Sequence, residues 1–213
     1  MADGTFFGDR LTSEEELRQL FGYPSERAVL KQRASLDEHG RAFIAASPFL
    51  IMGTANAAGE CDVSPKGDPP GFVVVLDDRH LVLPDRPGNK RLDGLRNILA
   101  NGHIALIFFV PGRNDTLRVN GRACIVRDAD LLERLAVDGK RPQVAIGVDV
   151  EEVFMHCPRA LMRSVLWDTA REGSPDTVAS FARIMWDQVP SARPTNDYDE
   201  YVRKQQENLK QLY

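Results

Sequence analysis

Hydrophobic residues near the start of the chain recur at the spacing of amphipathic helices. Ser13 and Glu16 form the pattern of a capping box, which predicts that a helix begins there. Two further helical patterns follow, the second over residues 37–46, and Pro48 ends that run. The apolar stripe of the first helix consists of Leu11, Leu17, Leu20 and Phe21. The pattern therefore predicts a helical lead-in over residues 1–47.

From residue 49 onward the pattern changes to the short apolar runs and alternation of β-strands. Turn residues such as glycine, proline, asparagine and aspartate separate these runs. Six strands are predicted, over residues 49–55, 61–64, 72–76, 81–84, 103–110 and 117–126, with one helix over residues 89–99. Short strands with a single helical crossover predict a mainly β fold with flanking helices (α+β), built on a small antiparallel six-stranded barrel.

The rest of the chain predicts a short helix after Asp128 or Asp130, a further strand over residues 144–154, and a helical tail over residues 175–213. We assign residues 48–156 to the barrel core and residues 157–213 to a C-terminal helical segment that packs against it. The chain is short enough that we treat these parts as one domain.

Charge and composition narrow the class of protein. A net charge of −4 argues against a basic surface that binds nucleic acid. The start of the chain lacks the order of a signal peptide, and the longest apolar runs are too short to cross a bilayer. We therefore expect a cytoplasmic protein with no nucleic-acid or membrane partner. The three cysteines and four histidines share no metal-ligand spacing, so no metal site is expected.

Two cationic loops flank the predicted hairpin of residues 72–84. One reads Ser64-Pro65-Lys66-Gly67, and the other runs from Arg86 through Pro87, Gly88, Asn89 and Lys90 to Arg91. The second loop leads into the predicted helix, whose N-terminal N–H groups would favour an anion. We interpret the two loops as a phosphate clamp. The alternative is that the basic residues are solvated loop charges and the glycines are turn residues. Asp85 is a candidate to orient Arg86, and a solvated surface charge is the alternative for it.

An ordered set of motifs resembles the FMN-binding split-barrel family typified by pyridoxamine 5'-phosphate oxidase, over roughly residues 46–127. The set consists of Leu50-Ile51-Met52-Gly53-Thr54-Ala55, then Val63-Ser64-Pro65-Lys66-Gly67, then Gly88-Asn89-Lys90, and a strand with an apolar-x-Gly-x-Ala pattern around Gly121. The chain differs from the family at four points. Leu83-Pro84 stand where the family strand ends in Tyr-Thr, and Gly88 stands where the family has the serine of its Ser-x-Lys motif. The family's arginine upstream of Lys66 and the Arg-plus-Pro segment near the C-terminus of the true oxidase have no counterpart.

The resemblance implies FMN as the cofactor. The phosphate would be held by Lys66, Arg86, Asn89, Lys90 and Arg91. The ribityl chain and ring would lie along Ser64 and the main chain near Pro65, Gly67, Leu83 and Pro84. Asn120 could bond the flavin rim, although a role in a turn or bulge explains it equally well.

The resemblance also implies a homodimer with flavin between the two barrels, so that the C-terminal segment could pack on the partner. The segment from His156 to Trp167 is similar to a subgroup of FMN-dependent enzymes in this family. Arg163, Ser164 and Trp167 are the candidates for a contribution from the partner side, while core packing of Trp167 is the alternative.

The implied function is an FMN-dependent oxidoreductase with a small-molecule substrate, in which NAD(P)H or oxygen completes the cycle. Because the flavin carries out the redox chemistry, no catalytic residue is assigned. His156 beside Cys157 could form a nucleophilic pair, but a strand-to-helix junction explains that dipeptide as well. The alternative functions are a non-catalytic flavin or haem binder and an F420-dependent reductase.

Overall fold

The structure is a computed structural model that describes residues 6–168, 178–208 and 210. Its α-helices are α1 (Glu14–Phe21), α2 (Glu26–Leu30), α3 (Glu38–Ala46), α4 (Asp93–Ala100), α5 (Ala129–Arg134), α6 (Arg159–Ser164), α7 (Phe181–Gln188) and α8 (Tyr198–Asn208). The strands are β1 (Phe49–Ala55), β2 (Cys61–Gly67), β3 (Val74–Val75), β4 (His80–Pro84), β5 (His103–Phe109), β6 (Thr116–Val126) and β7 (Ala145–His156).

All seven strands form one antiparallel sheet in the order β2-β1-β5-β6-β7-β4-β3. The mainly β fold with flanking helices is thus confirmed, but the predicted count of six strands is wrong. The strand predicted over residues 144–154 is β7, which lies between β6 and β4. Without β7 the hairpin of β3 and β4 would have no pairing to the other four strands.

The core lies on the inner face of this sheet. Along β1, Leu50 and Met52 are buried, whereas the alternate residues Phe49 and Ile51 lie on the outer face. Phe43 and Ile44 of α3 and Ile98 of α4 join the same buried cluster. The strand alternation seen in the sequence therefore decides which side of the sheet is covered.

Helix α4 begins four residues later than predicted. Residues 89–92 form a loop in which Lys90 and Leu92 have positive φ angles of 62° and 60°. The Asn89 side chain accepts a hydrogen bond of 3.0 Å from the Arg91 N–H. This local bond competes with the helical bonds that the sequence pattern predicted. The cationic loop consequently precedes the helix instead of forming its first turn.

The first two N-terminal helices, α1 and α2, form as predicted but contain no buried residue. The capping box of Ser13 and Glu16 is present in α1. Leu20 is 66% exposed and Phe21 is 79% exposed, so the apolar stripe of α1 has no partner in the described chain. After α2, Arg33 forms an isolated antiparallel bridge with Val153 of β7. The lead-in is therefore fastened to the sheet through main-chain bonds.

The C-terminal helices pack on one another. Trp186 of α7 contacts the rings of Tyr198 and Tyr201, each with a centroid distance of 5.4 Å. The proline-containing break predicted before α8 is present at Pro190. Residues 175–177, 209 and 211–213 of the predicted helical tail lie outside the described residues. No helix in the described part of the chain is long and apolar enough to span a membrane.

Candidate cofactor-binding groove

A groove of about 990 Å³ runs along the edge of the sheet beside β2. Successive residues of a strand point to opposite faces, so Asp62, Ser64 and Lys66 all point into the groove while the residues between them are exposed. The segment from the end of β4 to the start of α4 forms the facing wall. A loop over residues 140–144, just before β7, closes one end.

The groove contains more cations than carboxylates. Its lining includes six cationic side chains, Lys66, Arg86, Lys90, Arg91, Lys140 and Arg141. It also includes four carboxylates, Asp62, Asp68, Asp85 and Asp93. The arrangement leaves a net positive lining, which favours an anionic ligand.

Three of these cations, Lys66, Arg91 and Arg86, form salt bridges with neighbouring aspartates. Lys66 Nζ lies 3.2 Å from Asp85 Oδ1. Arg91 Nε lies 2.7 Å from Asp93 Oδ2, and this hydrogen bond raises the pKa of Arg91 above its ordinary value. In the described part of the chain Lys90 forms no salt bridge, and it lies in the loop before α4, where its φ is 62°.

Arg86 is fixed more firmly than the other two. Its Nε donates to Asp68 at 2.6 Å and its Nη2 donates to the Leu135 carbonyl at 2.9 Å. The Asp68 side chain is only 1% exposed. The sequence offered Asp85 as a residue that orients Arg86 or as a surface charge, whereas the structure pairs Asp85 with Lys66 and Arg86 with Asp68. Because Asp68 directly follows β2, the second pair joins the end of β2 to the segment after β4.

Most of the predicted site residues meet at this groove. Those that line it are Ser64, Pro65, Lys66, Gly67, Pro84, Arg86, Asn89, Lys90 and Arg91. Leu83 does not line it, because its side chain is fully buried in the core. Only the main chain of Leu83 is left to take part, as the sequence analysis expected of it.

Asn120 and the residues predicted for the partner side lie away from the groove. Asn120 is on the outer face of β6, where its Nδ2 donates to Glu152 at 2.8 Å. Its buried Oδ1 has no hydrogen-bond partner among the described residues. Asn120 also adjoins a β-bulge at Gly121, which fits the alternative role given to it above.

Trp167 lines a separate apolar cavity of about 360 Å³ on the outer face, together with Phe49, Ile51, Phe109, Pro111 and Leu166. Its Nε1 donates to the Arg113 carbonyl at 2.7 Å. Arg163 and Ser164 lie on α6, close to this cavity in sequence but not among the residues that line the groove. Their contribution to a partner's site remains a prediction.

Sequence reasoning missed the loop that contains Lys140 and Arg141. This loop reads Gly139-Lys140-Arg141-Pro142, so it has the same mixture of glycine, proline and cations as the two loops that were recognised. That composition was the available signal. The sequence did not show that the loop lies beside Arg86, because this follows from the pairing of β4 with β7.

Residues 36–157, more than half of the chain, match the sequence model of a family described as pyridoxamine 5'-phosphate oxidase. No protein of curated function matches the chain. Among solved structures, HupZ of Group A Streptococcus is 21% identical, with a TM-score of 0.45 over 56% of this chain and 93% of that chain.

Two further solved structures are similar to the chain. A candidate pyridoxamine 5'-phosphate oxidase from Lactobacillus delbrueckii is 25% identical, with a TM-score of 0.44 over 57% of this chain and 95% of that chain. An FMN-binding protein from Syntrophomonas wolfei is 13% identical, with a TM-score of 0.45 over 68% of this chain and 93% of that chain.

Proposed function

Because the chain belongs to the pyridoxamine 5'-phosphate oxidase family, we propose that it is an FMN-dependent oxidoreductase acting on a small molecule. The observation that carries this proposal is the groove, which brings the two predicted cationic loops together beside β2. Its volume of about 990 Å³ is at the upper end of ordinary ligand sites, so a cofactor and a small substrate fit together.

The residues of the groove suit the phosphate of FMN. Lys90 carries no salt bridge within the described chain and lines the same groove as Lys66 and Arg91, so these three cations would hold the phosphate. Asn89 would support the same loop through its bond to the Arg91 N–H. Ser64 and the main chain of residues 65–67 would lie along the rest of the cofactor. Arg86 would act indirectly, by fixing the wall of the groove through Asp68.

Bound FMN supplies the transfer of a hydride or an electron pair between the substrate and either NAD(P)H or oxygen. The chain's own residues bind and orient the cofactor and limit access to it. The aspartates of the groove keep Lys66 and Arg91 in fixed positions, and no residue of the chain is required as an acid or base in this proposal.

We further propose a cytoplasmic homodimer built on the split barrel of this family. The outer face of the sheet supports a second copy as the partner. Phe49, Ile51, Val63, Ile107 and Phe109 form an apolar surface there, and Phe49 and Val63 are both exposed. Arg163, Ser164 and Trp167 lie at or near its border, from which they could reach a partner's groove.

One observation favours a second candidate, an F420-dependent reductase. Lys140 and Arg141 extend the cationic lining beyond the residues expected to hold the phosphate of FMN. A longer acidic cofactor would use such an extension. FMN remains the first choice because the groove is lined by the residues of the motifs that resemble the FMN-binding family, Lys66 and Lys90 among them.

The deciding experiment is an absorbance spectrum of the purified protein, followed by mass spectrometry of the molecule released by mild acid. We expect the bands of oxidised flavin and the mass of FMN. The mass of F420 or of haem would identify the corresponding alternative. A colourless protein that also fails to bind added FMN would overturn the proposal. Bound FMN that neither NAD(P)H nor any tested substrate reduces would leave a non-catalytic flavin binder.

A further inference from the structure

A second group of cations lies on the outer face of the sheet, opposite the groove. Arg118 of β6 pairs in register with Phe154 of β7, and its Cζ lies 5.0 Å from the centre of the Phe154 ring. Lys31 Nζ lies 5.2 Å from the centre of the same ring. His156 follows two residues later on the same face of β7. We call Lys31, Arg118, Phe154 and His156 the Phe154 cluster.

Hydrogen bonds fix the main chain around the cluster and the ammonium group of Lys31. Arg118 and His156 are on paired strands in the middle of the sheet. Lys31 directly follows α2, and hydrogen bonds fix both the main chain beyond it and its side chain. Two main-chain bonds, of 3.0 Å and 2.8 Å, join Arg33 to Val153 just beyond it. Lys31 Nζ donates to the Met155 carbonyl at 3.0 Å. Little ordering would therefore be needed when a ligand binds.

The Phe154 cluster has no counter-charge of its own. Within the described chain none of Lys31, Arg118 and His156 forms a salt bridge, in contrast to Lys66, Arg86 and Arg91 of the groove. The nearby carboxylate on the same face, Glu152, keeps its negative charge, because its hydrogen-bond donors are the neutral amides of Asn120 and Gln32. In the described chain it forms no salt bridge with Lys31 or Arg118.

A further cation beside the cluster, Arg33, pairs with Asp37 at 3.7 Å. Lys31 and Arg118 both lie near one aromatic ring and one imidazole, and neither is within salt-bridge distance of a carboxylate in the described chain. Such an arrangement is destabilised by like-charge repulsion, which a bound anion would remove.

The pKa of His156 responds to burial and to these neighbouring charges. Burial lowers the pKa of His156 below its ordinary value, and Arg118 and Lys31 lower it further. The imidazole is therefore neutral at pH 7 and can gain a proton when negative charge arrives beside it. Protonation would add a third donor to the same small area.

We propose that the Phe154 cluster binds a small oxyanion, the phosphate or carboxylate group of a metabolite, independently of the groove. Arg118 and Lys31 supply fixed positive charge above the Phe154 ring, and His156 supplies a donor whose charge follows the ligand. None of the four residues lines the groove, so the site is distinct from the proposed flavin site of the same chain. Arg118 pairs in register with Ile107, so the cluster borders the surface proposed for the second copy.

The test is a proton NMR titration of the His156 ring against pH, with the resonance identified by its loss in His156→Asn. Sodium phosphate is the probe, compared with sodium chloride at equal ionic strength. Saturating phosphate should raise the pKa of His156 by about 1 unit or more, as an opposite charge at close range does. By linkage, phosphate affinity should then rise about tenfold as the pH falls through the pKa of His156.

Two variants locate the effect. Arg118→Met and Lys31→Met keep an unbranched stem over the Phe154 ring while removing the charge. Each should raise the pKa of His156 in chloride and remove most of the response to phosphate. The matched control is Arg113→Met, since Arg113 also lies over a phenylalanine ring, at 5.8 Å from the centre of Phe43, but pairs with Asp115. That variant should respond to phosphate as the unmodified protein does.

The same spectra show whether each variant is folded, because the resonances of the other three histidines report on α3, β4 and β5. A pKa of His156 that is equal in phosphate and chloride would overturn the proposal. So would a pKa that depends on protein concentration and not on phosphate, since a second copy of the chain would then supply the counter-charge.

Discussion

Lys66 Nζ and Asp85 Oδ1 lie 3.2 Å apart in the groove, and their side chains are 21% and 20% exposed. The Asp85 carboxylate therefore forms a salt bridge with the same lysine that we propose to bind the phosphate of FMN. A ligand phosphate at Lys66 therefore approaches a fixed negative charge, and the pair sets how strongly the groove attracts an anion.

We expect Asp85→Asn to tighten FMN binding. Removing a nearby negative charge that is partly exposed should contribute about 1 kcal/mol, or about fivefold in Kd. Titration of the flavin-free protein with FMN measures the change. Asp85→Glu is the matched control, because it keeps the charge and should leave Kd nearly unchanged. Weaker binding by Asp85→Asn would show instead that the carboxylate serves to orient Lys66.

Lys66→Ala and Lys90→Ala should both weaken FMN binding. Each charged contact to the phosphate contributes roughly 1.5–3 kcal/mol, so the two substitutions together should cost several kcal/mol. The same FMN titration measures the loss. Lys204→Ala on α8 is the control, since Lys204 pairs with Glu200 on the helix surface and lies outside the groove. Unchanged retention of flavin in the double variant would refute the phosphate assignment.

Asp68→Ala should destabilise the fold. The Asp68 side chain is 1% exposed and pairs with Arg86, so its removal leaves a mostly buried guanidinium without its carboxylate. Breaking a buried pair in this way costs roughly 3–5 kcal/mol. Urea unfolding followed by circular dichroism gives the change in the free energy of unfolding. Asp187→Ala, which breaks the exposed pair with Arg183, should change that free energy by less than about 1 kcal/mol.

Gly121→Ala should be among the most disruptive small substitutions in the sheet. A Cβ at this position would lie 1.9 Å from the Asp149 carbonyl oxygen, at the bulge between β6 and β7. The main chain would have to move, and we expect a loss of more than about 2 kcal/mol in the free energy of unfolding. Gly53→Ala on β1 provides the comparison, because its nearest neighbour would be 3.8 Å away. Equal stability of the two variants would contradict the close approach.

Asp37 should make the stability of the protein depend on pH. Its side chain accepts the Gly40 N–H at 2.8 Å at the start of α3, and this bond holds the pKa of Asp37 below its ordinary value. A lowered pKa in the folded state means that the stabilisation is fully present above the unfolded pKa of about 4 and is lost as the pH falls through the folded pKa.

The free energy of unfolding should therefore fall by about 1 kcal/mol in Asp37→Ala at pH 7, as expected for loss of a helix cap. The difference between the two proteins should shrink as the pH falls below about 4. Asp37→Asn keeps a cap that does not titrate, so this variant should show no such decline. A difference between Asp37→Ala and the unmodified protein that is constant from pH 7 to pH 3 would contradict the assignment.

Much of this protein was determined by the sequence alone. Strand alternation is a local property, so β1, β5 and β6 could be located from hydrophobic periodicity, and the capping box at Ser13 marked the start of α1. The cationic loops could be found for the same reason, because glycine, proline and basic residues cluster within a few positions of one another.

The tertiary structure decided how these parts meet. Only strand pairing places β7 between β6 and β4, and that pairing brings Arg141 to the groove and Arg118 onto Phe154. The partners of Lys66 and Arg86 were likewise decided in space, since Asp85 and Asp68 are 19 and 18 residues away from them. A salt bridge requires two charged groups within a few ångströms of each other, here on segments far apart in sequence. Hydrophobic periodicity along the chain does not show which distant segments come that close.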